Sequence, residues 1–273
     1  MSAGSIELME LARSVALQAG ELVAARRAAG IEVAATKSSA EDVVTLADRE
    51  SEALIRQLLA DARPSDAFHG EESGSGSGSS GITWVVDPID GTVNYLYGIP
   101  YYSVSIAAIE GEPTFTGMRP VAGAVHSPGL GTTYTAALGE GAWRDGRSIV
   151  TPPAPPTNLA LLTTGFAYTQ ERRQMQAAMV GELITKVRDI RRFGSAAIDI
   201  CNVAEGQVNA YTEGGINPWD AAAGIIVATE AGASVQHLQL GDPSLHWLLV
   251  APSPLDAALR DLLLEAADSI TNR

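Results

Sequence analysis

A run of β-branched and aromatic residues passes directly into an acidic turn in ITWVVDPIDGT, which extends from Ile82 to Thr92. Valine, isoleucine and tryptophan favour a buried strand, and the run stops at Asp87, next to a proline. The pattern therefore predicts a buried strand that delivers Asp87 and Asp90 to a loop at its carboxyl end. A sheet commonly binds its ligands at that end.

The acidic residues in and near this turn predict a site for a cation. Asp87 and Asp90 lie on either side of Pro88, whose fixed φ lets the two carboxylates converge. Further acids occur at Glu71, in a Gly-Glu-Glu motif, and at Asp220, in a Pro-Trp-Asp motif. Carboxylates a few ångströms apart cannot all stay ionised, so such a cluster raises the pKa of its members or binds a cation.

The chemistry of the candidate ligands indicates which cation they would bind. All are oxygen atoms, namely the carboxylates of Glu71, Asp87, Asp90 and Asp220 and the carbonyl of Ile89. Because neither His nor Cys lies in these motifs, they disfavour zinc and favour Mg²⁺ or Mn²⁺. Gly91 and Thr92 follow where a turn or short helix begins, so their backbone N–H groups can bind a phosphate. A cation beside that phosphate would activate water for direct attack, without a covalent nucleophile.

Helical and strand patterns alternate loosely along the rest of the chain. Apolar spacing predicts amphipathic helices over residues 6–27 and 48–59, so two helices are expected before any strand. Later helices are expected at 170–184, from Ser195, from Asp220 and over 255–267, and strands at 102–109, 121–126, 132–137 and 159–163. This order predicts a layered, mixed α/β (α+β) architecture.

Two biased segments divide the chain. The proline-rich stretch from Thr151 to Pro156 cannot continue a helix or a central strand, so it marks a domain border. An N-terminal α+β domain, residues 1–150, would carry most metal ligands, and a C-terminal α/β domain, residues 151–273, would carry Asp220. The Gly/Ser run from Ser73 to Gly81 has no apolar residues and no period, which predicts a flexible loop.

Composition excludes several classes of function. The net charge of −14 disfavours nucleic acid as the main ligand, and no apolar run is long enough to span a membrane. The single cysteine, Cys201, excludes an intrachain disulfide and a cysteine metal cage, so a reducing, cytoplasmic setting is expected. The histidines are scattered in the sequence and are assigned no role: His69, His126, His237 and His246.

Taken together, the motifs resemble those of the inositol monophosphatase family. The family patterns Gly-Glu-Glu, Asp-Pro-Ile-Asp-Gly-Thr and Trp-Asp-x-Ala-Ala-Gly begin here at Gly70, Asp87 and Trp219, in that order. The similarity runs through most of the chain and is greatest to bacterial members, notably over residues 189–197. It implies a layered αβαβα sandwich of the sugar-phosphatase type.

The resemblance also implies which residues hold the metal ions. Glu71, Asp87 and the Ile89 carbonyl would bind one Mg²⁺, and Asp87, Asp90 and Asp220 would bind a second. Glu71 would help to hold a weaker third ion.

Roles in catalysis and substrate binding follow from the same resemblance. Glu71 and Thr92 would position the attacking water, and Asp48 would orient the threonine. Glu213 would accept hydrogen bonds from sugar-ring hydroxyls. The full set of expected substrate contacts is Asp90, Gly91, Thr92, Arg191, Ser195, Ala196, Glu213 and Asp220.

The activity that the resemblance implies is hydrolysis of a small-molecule phosphate ester. The expected enzyme is a Mg²⁺-dependent, lithium-sensitive phosphomonoesterase, commonly a homodimer, that acts on myo-inositol 1-phosphate. Fructose bisphosphatase, histidinol phosphatase and nucleotide 3′-phosphatase share the metal motifs, but Glu213 favours a polyol because an acid is a poor neighbour for a second phosphate. Bacterial relatives also bind transcription machinery, which leaves a non-catalytic protein-binding role open.

Two other enzyme classes fit the spacing less well. Haloacid-dehalogenase-type phosphatases place one residue between their aspartates, whereas Pro88 and Ile89 both intervene here. A glycosidase carboxylate pair needs a separation of about 5–10 Å, which a three-residue loop does not favour.

The chain departs from the family pattern in its loops. Residues 114–119 lengthen a hairpin that is usually tighter, and the Gly/Ser run lengthens the loop after Glu72. Lys37 is expected on a loop that closes near the metals.

Overall fold

A computed structural model describes residues 3–30, 33–36, 43–240 and 245–271 of the 273-residue chain. The described part contains seven α-helices: α1 Ala3–Ala29, α2 Leu46–Ala62, α3 Thr92–Tyr97, α4 Gln170–Leu183, α5 Ala196–Glu205, α6 Pro218–Glu230 and α7 Leu255–Thr271. Its strands are β1 Val33–Thr36, β2 Val43–Thr45, β3 Ala67–Gly70, β4 Gly74–Gly76, β5 Ile82–Asp90, β6 Ser103–Gly111, β7 Met118–Ser127, β8 Thr132–Ala137, β9 Gly141–Arg144, β10 Arg147–Ile149, β11 Leu161–Thr163, β12 Asp189–Arg191, β13 Ala210–Gly214, β14 Ser234–Gln239 and β15 His246–Ala251.

Two mixed sheets alternate with three layers of helices. The large sheet has the order β10-β9-β8-β7-β6-β5-β3-β4, and the smaller sheet has the order β12-β11-β13-β15-β14. Helices α1 and α2 cover one face of the large sheet, α5 and α6 lie between the sheets, and α4 and α7 cover the outer face of the smaller sheet. The predicted mixed α/β class with αβαβα layers is confirmed.

Strand β5 shows how the layers arise from the sequence. Successive residues of a strand point to opposite faces, so an uninterrupted apolar strand is buried on both sides. Trp84 and Val86 pack into the core below α1 and α2, whereas Val85 packs into the core around α5 and α6. The apolar run that ends at Asp87 therefore lies at the centre of the molecule.

Two expectations about the N-terminal half are wrong. Strands β1 and β2 pair antiparallel ahead of α2, so the chain does not place two helices before its first strand. Strands this short show too little alternation to be recognised in the sequence. Within the Gly/Ser run, Gly74–Gly76 is not a loop but forms the edge strand β4 against β3, because a sheet ladder needs only backbone groups. Lys37 lies outside the described residues.

The proline-rich segment separates the strands of the two sheets. Every strand of the large sheet precedes Thr151, and every strand of the smaller sheet follows it. Helices α5 and α6 come from the second half and pack against both sheets. The division into domains 1–150 and 151–273 stays a prediction. Each helix in the described part of the chain is too short or too polar to span a membrane.

Candidate active site

The acidic turn owes its shape to a bulge at the end of β5. Asp87 pairs with Ser105 and Asp90 with Ser103, so two residues of β5 oppose one residue of β6 between these pairs. In a regular strand, residues three apart would point to opposite faces of the sheet. One extra residue resets that alternation, and both aspartates line the same cavity.

Glu71 reaches the same cavity from the neighbouring strand. Strand β3 runs parallel to β5, with Gly70 opposite Val86, and the N–H of Glu71 donates to the carbonyl of Val86 at 3.2 Å. Glu71 lines the cavity beside Asp87, and its charge helps to raise the pKa of that carboxyl group.

Asp90 is held by the N-terminus of α5. Its carboxylate accepts hydrogen bonds from the Ser195 hydroxyl, from the N–H of Ala197 at 2.8 Å and from the N–H of Ala196 at 3.3 Å. These donors belong to the first turn of the helix, where backbone N–H groups lack partners within the helix. Asp90 thus joins the large sheet to a helix of the second half of the chain.

Asp220 is held in a similar way at the start of α6. It occupies the third helical position, and its carboxylate accepts the N–H of Asn217 at 2.6 Å. Pro218 occupies the first turn, where its missing N–H costs nothing. The sequence Asn-Pro-Trp-Asp therefore fixes both the start of α6 and the direction of the Asp220 side chain.

The pKa values show how crowded these carboxylates are. Burial, followed by repulsion from Glu71, Asp90 and Asp220, raises the pKa of Asp87 well above its usual range. Burial raises the pKa of Asp90 to about 6, although the hydrogen bond from Ser195 lowers it. Burial and then repulsion from Glu71 raise the pKa of Asp220. Burial and mutual repulsion therefore disfavour the state in which all of these carboxylates are ionised.

A divalent cation fits this donor set. The side chains offer only oxygen atoms, which suits Mg²⁺ or Mn²⁺. Among the described residues, no three His, Cys, Asp or Glu side chains already form a finished metal cage. Asp90 and Asp220 are turned towards helix N–H groups instead. A carboxylate oxygen can accept a hydrogen bond and bind a cation at once, because it has two lone pairs.

Thr92 and Asp48 form a pair beside the acidic turn. The Thr92 hydroxyl lies 3.0 Å from the Ile89 carbonyl and 3.3 Å from Oδ1 of Asp48. Asp48 is buried in the first turn of α2, where it forms a capping box with Thr45. Burial raises the pKa of Asp48 to about 6, although hydrogen bonds from Thr45 lower it.

Gly91 connects the acidic turn to α3. Its φ is +95°, and a Cβ there would lie 2.9 Å from the Gly194 carbonyl and 3.1 Å from the Tyr101 carbonyl. Only glycine fits this close approach without strain. The N–H groups of Gly91 and Thr92 lie at the N-terminus of α3, beside the cavity.

The cavity has a volume of about 410 Å³ and continues towards the smaller sheet. Glu213 on β13 lines this part, and its carboxylate accepts the Tyr211 hydroxyl at 2.9 Å. Burial raises the pKa of Glu213 to about 7, while Tyr211 and then Arg192 lower it. Ser195 and Ala196 lie on the adjacent wall.

The structure brings nearly all the expected site residues to this cavity. Those that line it are Glu71, Asp87, Ile89, Asp90, Gly91, Thr92, Ser195, Ala196, Glu213 and Asp220. Asp48 lies behind Thr92 and reaches the cavity through it. Arg191 is not in the cavity wall: it is exposed and forms an ion pair with Asp189.

Three charged residues of the cavity were not predicted from the sequence: Arg172, Arg192 and Asp199. Arg192 takes the place expected for Arg191, because adjacent residues at the end of a strand point in different directions. Arg191 and Arg192 are adjacent in the sequence, which does not show which of the two side chains faces the cavity. Asp199 is buried and accepts the Tyr101 hydroxyl at 2.6 Å.

The chain is similar in sequence and in fold to known proteins. A model of the inositol monophosphatase family matches residues 6–272. The inositol-1-monophosphatase of Mycobacterium leprae is 41% identical over 95% of this chain and 93% of its own. The solved structure of Mycobacterium tuberculosis SuhB has a TM-score of 0.81 at 38% identity and covers 96% of this chain and 97% of its own. The Nus factor SuhB of Pasteurella multocida is 36% identical over 90% of this chain and 91% of its own. The resemblance seen in the motifs is confirmed, and the chain belongs to the inositol monophosphatase family.

Proposed function

We propose that this chain is a Mg²⁺-dependent phosphomonoesterase that hydrolyses a polyol or sugar monophosphate, with myo-inositol 1-phosphate as the favoured substrate. One observation carries the proposal: four mutually repelling carboxylates from three distant segments line a single cavity. The family is generally metal-dependent. Mn²⁺ has the same preference for oxygen ligands and is the alternative ion.

Two groups of oxygen ligands would hold the ions. Glu71, Asp87 and the Ile89 carbonyl form one group, and Asp87, Asp90 and Asp220 form the other, with Glu71 beside a third, weaker position. When bound, Mg²⁺ neutralises the cluster, polarises the phosphoryl group and lowers the pKa of water.

Thr92 would orient the attacking water from its position beside the turn. A hydroxyl that donates its proton to Asp48 or to the Ile89 carbonyl keeps its lone pairs for another donor. Those lone pairs can accept a hydrogen bond from a water molecule in the cavity. Glu71 would fix the same water from the other side, and attack on phosphorus would proceed without a covalent intermediate.

The phosphate and the alcohol of the substrate would contact different walls. The N–H groups of Gly91 and Thr92 suit the phosphate, because the first N–H groups of a helix lack internal partners. Glu213 suits the ring hydroxyls, with Ser195 and Ala196 beside it. Asp90 and Asp220, which line the same cavity, would complete the set of substrate contacts.

The test is phosphate release from a panel of inositol, fructose, histidinol and nucleotide phosphates. We expect turnover of myo-inositol 1-phosphate with Mg²⁺, none in a chelator, and inhibition by lithium. A preference for another ester would change the substrate but keep the reaction. Release that persists in a chelator, or an isolated phospho-Asp87 intermediate, would contradict the proposed chemistry.

A protein-binding role is the second candidate, because the Pasteurella relative is named a Nus factor. A net charge of −14 suits a basic partner surface. The two roles separate if the panel is inert with Mg²⁺ while the protein forms a stoichiometric complex with purified transcription machinery.

We also propose that the protein is a cytoplasmic homodimer. Tyr97 and Ile99 expose large apolar side chains next to each other, at 76% and 48% of their maximal area. Light scattering on the purified protein measures the mass, and a monomer at all concentrations would contradict the dimer.

A further inference from the structure

Two histidines that are distant from the carboxylate cavity meet on the smaller sheet. His237 lies on β14 and His246 on β15, and Nδ1 of His237 lies 2.8 Å from Nε2 of His246. Both side chains point to the same face of the sheet, since His246 pairs with Gln239, two residues from His237. His237 is exposed and His246 is half-buried.

The spacing of the two nitrogens matches that of neighbouring ligands on one metal ion. Metal–imidazole bonds are about 2.0–2.1 Å long, so two nitrogens at the right angle of a square-planar or tetragonal site lie about 2.9 Å apart. Imidazole suits the late first-row metals, and the order of affinity favours Cu²⁺ among them. We propose that His237 and His246 form a surface site for a divalent late transition-metal ion, with water as the remaining ligands.

The protonation of the pair favours metal binding at neutral pH. Partial desolvation of the rings lowers the pKa of both imidazoles, and repulsion from His246 lowers the pKa of His237 further. A neutral imidazole has one N–H and one acceptor nitrogen. In the hydrogen-bonded pair one facing nitrogen carries the proton. A change of tautomer that moves this proton to the other nitrogen of the same ring leaves both facing nitrogens as metal ligands, with no net loss of a proton.

Phe115 orients the pair from the opposite half of the chain. It lies in the turn between β6 and β7, within the lengthened hairpin. Its ring stacks on His246 with a centroid distance of 4.6 Å and an interplanar angle of 4°, and it lies 5.5 Å from the His237 ring. Neighbours that fix the plane of a ligand ring raise metal affinity. A bound ion would tie β14 to β15 beneath this hairpin.

Copper binding to the untagged protein tests the site. Saturating Mg²⁺ is added first, so that it occupies the carboxylate cavity and Cu²⁺ does not bind there. Electron paramagnetic resonance then gives the number of nitrogen ligands of the added Cu²⁺. We expect one equivalent bound by two nitrogens. His237→Gln and His246→Gln should each lower the affinity at least about tenfold and leave one nitrogen.

His69→Gln is the matched control, because His69 is also hydrogen-bonded to a neighbouring side chain, at Ser75, but has no second imidazole beside it. We expect this variant to bind Cu²⁺ as the unmodified protein does. A spectrum of the unmodified protein without two-nitrogen coupling would overturn the proposal. So would equal affinity in His237→Gln, or loss of the signal in His69→Gln. None of these experiments measures phosphatase activity, so a failure of this proposal is distinguishable from a failure of the proposed reaction.

Discussion

Asp90 combines two tasks in one side chain. Its carboxylate caps α5 through the N–H groups of Ala196 and Ala197, and it also lines the cavity beside Asp87. The capping contacts fix its direction before any ion binds, which lowers the cost of organising the site. An amide at this position would keep an acceptor for the helix but lose the charge that a cation needs.

We therefore expect Asp90→Asn to reduce turnover more than about 100-fold, since even outer partners of metal ligands cost 10–100-fold. In a chelator its melting temperature should equal or exceed that of the unmodified protein, because the variant removes a repelling charge from the cluster. Phosphate release and thermal unfolding measure the two effects. Asp61→Asn, on the exposed face of α2, is the control. Full activity of Asp90→Asn would remove the metal scheme.

Thr92 tests whether a hydroxyl orients the water. Thr92→Val keeps the shape of the side chain but removes the group that lies between Asp48 and the cavity. We expect kcat to fall about 100-fold or more, with a smaller change in KM, whereas Thr92→Ser should retain most activity. Steady-state kinetics on both variants decide the matter. Equal rates for Val and Ser would show that the hydroxyl has no part in the reaction.

At the scale of an element, the start of α2 supports the site from behind. Thr45 and Asp48 form the capping box of this helix, and Asp48 then contacts Thr92. Thr45→Ala should lower the free energy of unfolding by about 0.5–2 kcal/mol, the usual cost of a lost cap. It should also lower kcat, because Asp48 loses the partner that holds it. Gln57→Ala, exposed on the same helix, should change neither quantity. A loss of stability with unchanged kcat would show that Asp48 needs no such support.

The turn between β5 and α3 allows a matched comparison of two glycines. Gly91 and Gly232 have φ values of +95° and +99°, but only a Cβ on Gly91 would meet neighbouring backbone. Substitution by Ala costs conformational strain at both positions, about 1–2 kcal/mol. Gly91→Ala should lower the free energy of unfolding by clearly more than Gly232→Ala does, because the Gly194 carbonyl must also move. Denaturant unfolding of both variants gives the difference. Equal losses would show that the close approach of the two segments is unimportant.

A helix or strand could be predicted from the sequence where interactions between neighbouring residues form it, and not where pairing with a distant segment forms it. The helix starts at Ser195 and near Asp220 were predicted because caps are local and readable. The bulge in β5 was not predicted, because it depends on the register between β5 and β6. Strands β1 and β4 were missed since backbone pairing, rather than side-chain pattern, forms them. Element boundaries were therefore predictable where side chains set them.

At the scale of the whole molecule, the sequence motifs predicted which residues meet but not how some of them are oriented. The chain brings Glu71 and Asp220 together across the layers, as the family resemblance implied. Whether Arg191 or Arg192 faces the cavity depends on how β12 enters the small sheet, which no local pattern encodes. His237 and His246 meet for the same kind of reason, through the pairing of β14 with β15.

The buried acids also give the whole molecule a characteristic dependence on pH and Mg²⁺. Burial raises the pKa of Asp48 and Asp90 from 3.8 to about 6, and that of Glu213 from 4.5 to about 7. The folded state thus holds these protons more tightly than the unfolded state. Their contribution to stability is complete at pH values below the pKa values of the unfolded state. It is lost as the pH rises through the pKa values of the folded state.

In a chelator, we therefore expect this contribution to the free energy of unfolding to fall between about pH 4 and 7. Mg²⁺ should reverse the loss, because it binds the folded, ionised cluster. At 100 times its Kd it adds about 2.7 kcal/mol. Denaturant unfolding with and without Mg²⁺ at several pH values measures the difference, which should widen as the pH rises and shrink in Asp90→Asn. A difference that is independent of pH would mean that protons and Mg²⁺ do not compete for these carboxylates, and the cavity would then not be the place where the ion binds.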